Sequence, residues 1–293
     1  MKKEVVRRIS ILLFLLAIYA AGGYAERSDI HAEADRPGAG TGTNVLGRGL
    51  IQLETGFEAG HILGTHVLTL PTTLFRFGLS PWAELRLEGG GMMVVDDHPY
   101  GDSIADYVYG PEPLYVGTKI KLWGGSEEAN LRWIPRTSLM LNLGLPMSRS
   151  MAEMRPISGK IDLLFENDVA DWLTIGYDAG VYWQDYAPTP DVFLSLGFNF
   201  APTDKLGMFI EFYDLLDPDA FWLDDNYGMH TYTLCDLGTD FGLTYMAHPR
   251  VQLDIYAGFN LYHSEADVRF PQNNVFVGFG VTWLIARINE KTR

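Results

Sequence analysis

Apolar and polar residues alternate one by one along much of the chain, most clearly from 172 to 183. From Leu173 onward, the odd positions of this stretch are apolar or aromatic, and the even positions are Thr, Gly, Asp or Tyr. Successive side chains of a strand point to opposite faces, so the pattern predicts a strand with one apolar and one polar face. Trp172 and Trp183 stand at its two ends, which is typical of strands that cross a bilayer because Trp prefers the interface.

The same alternation recurs from Gly47 almost to the end of the chain. It predicts about twelve strands, each near the ~9–11 residues that a tilted membrane-spanning strand needs. The predicted strands lie at 50–57, 72–79, 83–88, 114–123, 139–145, 161–166, 172–183, 192–200, 207–212, 236–245, 253–261 and 275–283.

The connections between these strands alternate in length. Short joins are expected near Ser80, Asp171, Thr203 and Pro249, and long loops at 96–113, 146–159, 217–230 and 263–273. Short periplasmic turns and longer external loops are typical of outer-membrane barrels. The sequence therefore predicts an all-β, transmembrane antiparallel up-and-down β-barrel in preference to a soluble sandwich. The connection at 124–135 departs from the rule.

The first 25 residues have the pattern of a secretory signal peptide. A basic start containing Lys2 and Arg8 precedes a short apolar run at 9–21, and cleavage is expected before Glu26. The remaining chain divides into a flexible periplasmic segment at 26–46, a barrel at 47–286 and a periplasmic tail at 287–293. The alternative is an N-terminal anchor helix.

Charge and cysteine content narrow the range of functions. The net charge is −15 for the whole chain and −18 once the signal peptide, with four basic residues and one acidic residue, is removed. An acidic chain argues against nucleic acid as a partner. The single cysteine, Cys235, excludes an intrachain disulfide and any cysteine-based metal cluster. No cofactor and no metal site are expected.

Charged residues fall on the polar face of the predicted strands, which would line the barrel lumen. The candidate lumen residues are Glu54, Arg76, Glu84, Arg86, Glu88, Lys119, Lys121, Asp178, Glu211, Asp240 and Asp254. The early strands carry mixed charges and the later strands carry acids, also at Asp162, Glu166 and Asp236.

Two interpretations of these charges remain open. A water-filled lumen would have a transverse field that favours cations along the acidic wall. A plugged barrel would instead pair its charges internally, as Glu54–Arg76–Glu84 and Glu88–Lys119 ladders across neighbouring strands.

The sequence gives less support to two other kinds of site, a calcium site and a hydrolytic site. The acidic loops could bind Ca²⁺, but their spacing does not match an EF-hand, and solvated acidic loops are the alternative. One loop carries Asp96, Asp97, Asp102 and Asp106, and the other carries Asp217, Asp219, Asp224 and Asp225. His263, Ser264 and Glu265 adjoin, yet neighbours on a strand point to opposite faces, so a hydrolytic site is not expected.

Asp35-Arg36-Pro37, followed by Gly47-Arg48-Gly49-Leu50-Ile51-Gln52-Leu53-Glu54-Thr55-Gly56-Phe57, resembles the opening of the MetA-pathway of phenol degradation family of outer-membrane transporter-like proteins. The resemblance implies an exported barrel that moves small solutes, including aromatic or hydrophobic compounds.

We therefore expect a passive, non-enzymatic channel in the outer membrane of a Gram-negative-type bacterium. Its partners would be outer-membrane lipid, a small-molecule solute and the barrel-insertion machinery. The alternative is an occluded barrel with a structural or surface role.

Overall fold

The structure is a computed structural model that describes residues 31–62, 65–96, 106–124, 134–147, 157–183, 189–223, 229–264 and 274–287. Thirteen strands account for most of these residues. They are β1 (Leu50–Ile62), β2 (Thr65–Ser80), β3 (Ala83–Asp96), β4 (Asp106–Pro111), β5 (Leu114–Trp123), β6 (Arg136–Leu145), β7 (Ser158–Ala170), β8 (Leu173–Trp183), β9 (Asp191–Phe200), β10 (Leu206–Leu223), β11 (Met229–His248), β12 (Val251–His263) and β13 (Val275–Arg287).

The strands form one closed antiparallel sheet. Apart from β4 and β5, strands that follow one another in the sequence pair with each other, and β1 pairs with β13 to close the circle. β4 and β5 lie end to end against β3, which pairs with β4 through 91–96 and with β5 through 83–88. Because β4 and β5 share one position in the wall, the thirteen strands occupy twelve positions around the barrel. The predicted 12-strand antiparallel barrel is therefore confirmed. Closure through β1 and β13 removes the open edges of the sheet, as a lipid environment requires, while β4 pairs with β3 alone among the described residues.

The two faces of the barrel differ as the alternation predicts. Large apolar side chains such as Leu163, Ile255 and Phe279 are exposed on the outside. The inward face carries buried polar and charged groups, among them Gln52 and Thr282. A broad exposed apolar band around a polar interior suits a barrel surrounded by lipid.

The two ends of the barrel also differ. Turns at 81–82, 171–172, 201–205 and 249–250 gather at one end, here called the short-turn end. β1 begins and β13 ends at this same end, because Leu50 pairs with Arg287. Trp82, Trp123 and Trp172 are exposed there, where an interfacial aromatic belt would lie.

Several strands are longer than the sequence pattern predicts. The expected loop at 217–230 is largely strand, since β10 runs to Leu223 and β11 begins at Met229. The expected loop at 96–113 contains β4. These stretches were missed because they lack strict alternation, and here backbone pairing with a neighbouring strand decides the structure.

Two connections do not follow the predicted alternation of short turns at one end of the barrel and long loops at the other. At the end opposite the short-turn end, β1 and β2 are joined by residues 63–64 alone, since β2 begins at Thr65 rather than near 72. The connection from Trp123 to Arg136 lies at the short-turn end although it is long. Within the described residues, no helix is both long and apolar enough to cross a membrane.

The outward apolar band gives a test of the lipid-facing surface. Ile255 is exposed on the outside of β12, so Ile255→Arg should lower the free energy of unfolding in phospholipid vesicles by about 2–4 kcal/mol. Denaturant titration in vesicles measures this loss. Asp204→Arg, in the exposed turn at 201–205, is the control and should change stability little; equal losses in both variants would contradict a lipid-facing Ile255.

Candidate functional site

The polar residues before the first strand lie inside the barrel. Residues 31–49, here called the luminal segment, start at the short-turn end, where the Ala32 amide donates to the Pro249 carbonyl at 2.8 Å. The chain reaches deepest into the lumen around 38–41, then returns to Gly49, whose amide donates to the Gly78 carbonyl at 2.7 Å. The described part of the segment expected to be flexible, 31–46, is therefore docked within the lumen.

Carboxylates of the barrel wall accept the backbone N–H groups of the luminal segment. Glu54 accepts from residues 35 and 36 at 3.0 and 3.2 Å. Glu211 accepts from residues 39 and 40 at 2.7 and 2.8 Å. Asp178 accepts from residue 41 at 2.7 Å, and Glu84 from residue 46 at 2.7 Å. These acids replace the strand partner that the segment lacks.

Donors of the wall satisfy the segment's carbonyl groups in the same way. Lys119 Nζ donates to the carbonyls of Gly42 at 2.8 Å and Asn44 at 3.1 Å. Arg76 also donates to the Asn44 carbonyl, at 3.0 Å. The Ser138 hydroxyl donates to the carbonyl of residue 43 at 2.7 Å. Backbone groups of both kinds are thus paired in a segment with no regular secondary structure.

A buried ionic network anchors the base of the luminal segment. Arg76 binds Glu54 at 3.0 Å and Glu84 at 2.9 Å, and its side chain is 0% exposed. Lys119, also 0% exposed, binds Asp35 at 2.7 Å. Arg86 pairs with Asp35 and with Glu84. Arg76, Arg86 and Lys119 are here called the basic cluster, and Asp35 is the carboxylate from the segment that all three approach.

The ionisation of Asp35 follows from this network. Burial by itself raises the pKa of the Asp35 carboxyl, but the charges of Arg76, Lys119 and Arg86 outweigh burial and hold that pKa below its usual value. Its stabilising contribution is therefore complete at neutral pH and is lost only as the pH falls below the ordinary range of a carboxyl.

The predicted charge ladders are present in part. Glu54, Arg76 and Glu84 form the expected ladder. The expected Glu88–Lys119 pair is absent, because the register places Glu84 opposite Lys119 and Glu88 opposite Tyr115. Lys119 binds Asp35 of the luminal segment instead.

Arg36 extends to a different part of the wall from the basic cluster, formed by β12, β13 and β1. Its Nη2 atom lies 3.5 Å from Asp254, and its guanidinium carbon lies 5.8 Å from the centre of the Tyr256 ring. Gly56 and Gly280 leave the space that the guanidinium fills, since a Cβ at either position would collide with it. Asp35 and Arg36 thus anchor the segment to two different parts of the wall.

A cavity lies on each side of the luminal segment. The larger, of about 240 Å³, lies against β7–β11 and is lined by residues that include Asn199 and Phe209. The smaller, of about 160 Å³, lies against β1–β3 and β7 and is lined by residues that include Glu88 and Lys160. Both cavities are lined by Asp35, Arg36, Gly40 and Thr41. The segment is thus the partition between them.

Most of the candidate lumen residues are buried in the structure. The buried ones are Glu54, Arg76, Glu84, Arg86, Lys119, Asp178, Glu211, Asp240 and Asp254. Glu88 is half-buried, and Lys121 is exposed near the short-turn end.

Asp35 and Arg36 were not among the residues predicted to line the lumen. The sequence feature that marks these two residues is the Asp-Arg-Pro motif ahead of the first strand. The acidic positions 97, 102, 224 and 225 lie outside the described residues. Within the described part of the chain, no three His, Cys, Asp or Glu side chains could together hold a metal ion.

Comparison with known proteins agrees with this architecture. The family described as "Putative MetA-pathway of phenol degradation" matches residues 34–284, and the chain belongs to this family. The COG4313 outer membrane channel from Pseudomonas putida F1 has a similar fold, with a TM-score of 0.57 at 10% identity over 89% of this chain and 99% of that one. The NanC porin gives 0.52 at 8% identity over 80% and 98%.

These likenesses show the fold, which is that of an outer-membrane β-barrel. A search of curated proteins gave no match.

The anchoring role of Asp35 can be tested with a buried reporter thiol. In a Cys235→Ser background, Thr43→Cys places a thiol at a buried position of the luminal segment. Asp35→Asn should raise its rate of modification by a water-soluble thiol reagent by about tenfold or more, because it leaves Arg86 and Lys119 buried without their shared anion.

Asp168→Asn is the matched control, since Asp168 pairs with Arg136 near the short-turn end, away from the basic cluster. An unchanged rate in Asp35→Asn would show that the network does not hold the segment.

Proposed function

We propose that this protein is a passive channel for small solutes in which the luminal segment forms the constriction. The observation that carries the proposal is the pair of cavities that meet at the same four residues of the segment. A solute that crosses the lumen must pass this partition. No bond-breaking step is involved.

The luminal segment is held unevenly, which supports its role as a movable constriction. Its base is anchored by the buried charges around Asp35. Its innermost residues, 38–41, are Gly-Ala-Gly-Thr and carry no charge. They are held by backbone hydrogen bonds to Glu211 and Asp178, each worth about 1.5–3 kcal/mol. Displacing this tip therefore costs less than displacing the whole segment.

The larger cavity supports solutes that have an apolar part. The inward-facing ring of Phe209 lies in its lining beside the polar groups of Asn199 and Glu211. Apolar side chains beside a few polar groups are typical of small-molecule sites. Aromatic or hydrophobic compounds, the class that the family resemblance implies, fit such a lining.

We also propose how the protein reaches the outer membrane. Residues 1–25 act as the signal peptide and are removed, and the barrel-insertion machinery places the mature chain in the outer membrane of a Gram-negative-type bacterium. The short-turn end then faces the periplasm, as short turns do in this class of barrel.

An occluded barrel with a structural or surface role is the second candidate. The complete burial of Arg76 and Lys119 and the continuous bonding of the segment favour it. The two candidates differ in whether removing the segment opens a conducting path.

Planar-bilayer recording of the mature chain tests the proposal. The full chain should show discrete current steps, and a chain lacking 26–46 should show a severalfold larger conductance because its partition is gone. Glu211→Gln combined with Asp178→Asn should raise the open probability by loosening the tip while the base stays anchored. Heat-modifiable gel mobility confirms that each variant is folded.

Asp168→Asn should conduct like the parent chain, because Asp168 makes no contact with residues 38–41. If the folded full chain and the folded truncated chain are both silent, the channel is wrong and the occluded barrel stands.

A further inference from the structure

The lumen beyond the tip of the luminal segment, toward the end opposite the short turns, is here called the outer chamber. Inward-facing aromatic side chains lie in it, and Tyr182 of β8 and Phe193 of β9 stack with ring centroids 5.4 Å apart and planes 13° apart. The ammonium of Lys160 lies over the Tyr182 ring, 5.3 Å from its centre. The face of this ring therefore already holds a cation, one supplied by the chain itself.

Carboxylates surround this ring. Asp162 is 1% exposed, and its carboxylate interacts with the Tyr182 hydroxyl, although no donor reaches its oxygens in full hydrogen-bond geometry. Its charge acts on both Lys160 and Tyr182. Glu88 also acts on Tyr182 and lines the smaller cavity together with Lys160. A buried acid without a donor is costly unless a cation or water compensates it.

The outer chamber as a whole is acidic. Glu58, Glu88 and Glu112 lie close enough for their charges to interact, and among the described residues none of the three forms an ion pair with a basic side chain. The basic cluster is paired with Asp35, Glu54 and Glu84, although the charge of Arg86 also reaches Asp162 and that of Arg36 reaches Glu58. Apart from these cations and Lys160, an incoming cation thus meets acidic side chains.

We propose that the outer chamber binds organic cations, namely amines or quaternary ammonium compounds with an aromatic or apolar body. The Tyr182–Phe193 stack is the platform for the cation, and Asp162 and Glu88 are its counter-charges. Lys160 occupies the position when no ligand is bound, so that an incoming cation displaces its ammonium from the ring. A positive charge on a tyrosine face beside a desolvated carboxylate is a favourable arrangement.

This inference rests on the proposed function, because it names the solute class that the channel would admit. It concerns binding, however, and binding can be measured whether or not current flows.

Isothermal titration of the mature, folded chain in detergent provides the test. The probes are benzyltrimethylammonium, benzyl alcohol and benzoate, which share a ring and differ in charge. Benzyltrimethylammonium should bind most tightly and benzoate least. Asp162→Asn and Tyr182→Leu should each lower the affinity for benzyltrimethylammonium by about three- to tenfold, the range expected for one charge or ring contact.

The Lys160→Met variant distinguishes binding at this site from a general attraction of cations to the acidic lumen. Removing the tethered ammonium should raise the affinity for benzyltrimethylammonium by about threefold or more, because the ring face is then free. If Lys160 served instead to hold anions, the same change would weaken benzoate binding and leave the cation unaffected, and the inference would be wrong.

Two matched controls come from the same strands. Tyr177→Leu removes a tyrosine of β8 that stacks on Phe165, and Asp168→Asn removes an acid of β7 near the short-turn end. Neither should change the affinity. Equal losses in the controls, tighter binding of benzoate, or no binding of any probe would overturn the site.

Bilayer recording distinguishes a failure of the proposed channel from a failure of the proposed cation site. A conducting chain that shows no preference for potassium over chloride and binds no cation leaves the channel intact and removes the inference. A silent chain that binds benzyltrimethylammonium with the expected variant pattern removes the channel and keeps the binding site.

Discussion

Backbone N–H and C=O groups away from bulk water must find partners, and the structure depends on this constraint twice. In the wall, the pairing of β1 with β13 closes the sheet so that lipid meets no open edge. In the lumen, the N-terminal segment runs without a strand partner, and side chains of the wall take that place. Closing the sheet creates a lumen, and the polar groups that face the lumen must then be paired with protein groups or with water.

The uneven spread of charge follows from how the interior is filled. Cations on β2, β3 and β5 converge on Asp35 and on carbonyls of the segment. Acids on β8 and β10 accept its N–H groups. Charges that could have formed a transverse field for solutes are therefore largely used in holding the segment. The field left over is acidic and lies beyond the tip.

The strength of this anchoring decreases from base to tip. Asp35 and Arg36 bind two different parts of the wall through charged groups, whereas Gly40 and Thr41 bind through the backbone alone. Buried ion pairs are costly to break once formed, because separating them strands a charge. A stable base with a more easily displaced tip fits a barrel whose two cavities are divided by a few residues.

The sequence by itself determined the wall. Strict alternation, as in Leu173–Trp183, predicts strands, their inward faces and their number, because a period of two is a local property of the chain. It failed at 217–230, where alternation weakens and pairing with a neighbouring strand decides.

The contents of the lumen were decided by the tertiary structure. Residues 31–46 carry no period and contain few large apolar residues, so their local pattern predicts only a flexible segment. Their position depends on Asp35 meeting Arg86 and Lys119, which are 51 and 84 residues away. Such contacts exist only once the barrel has closed, because closure brings distant strands around one short stretch of chain.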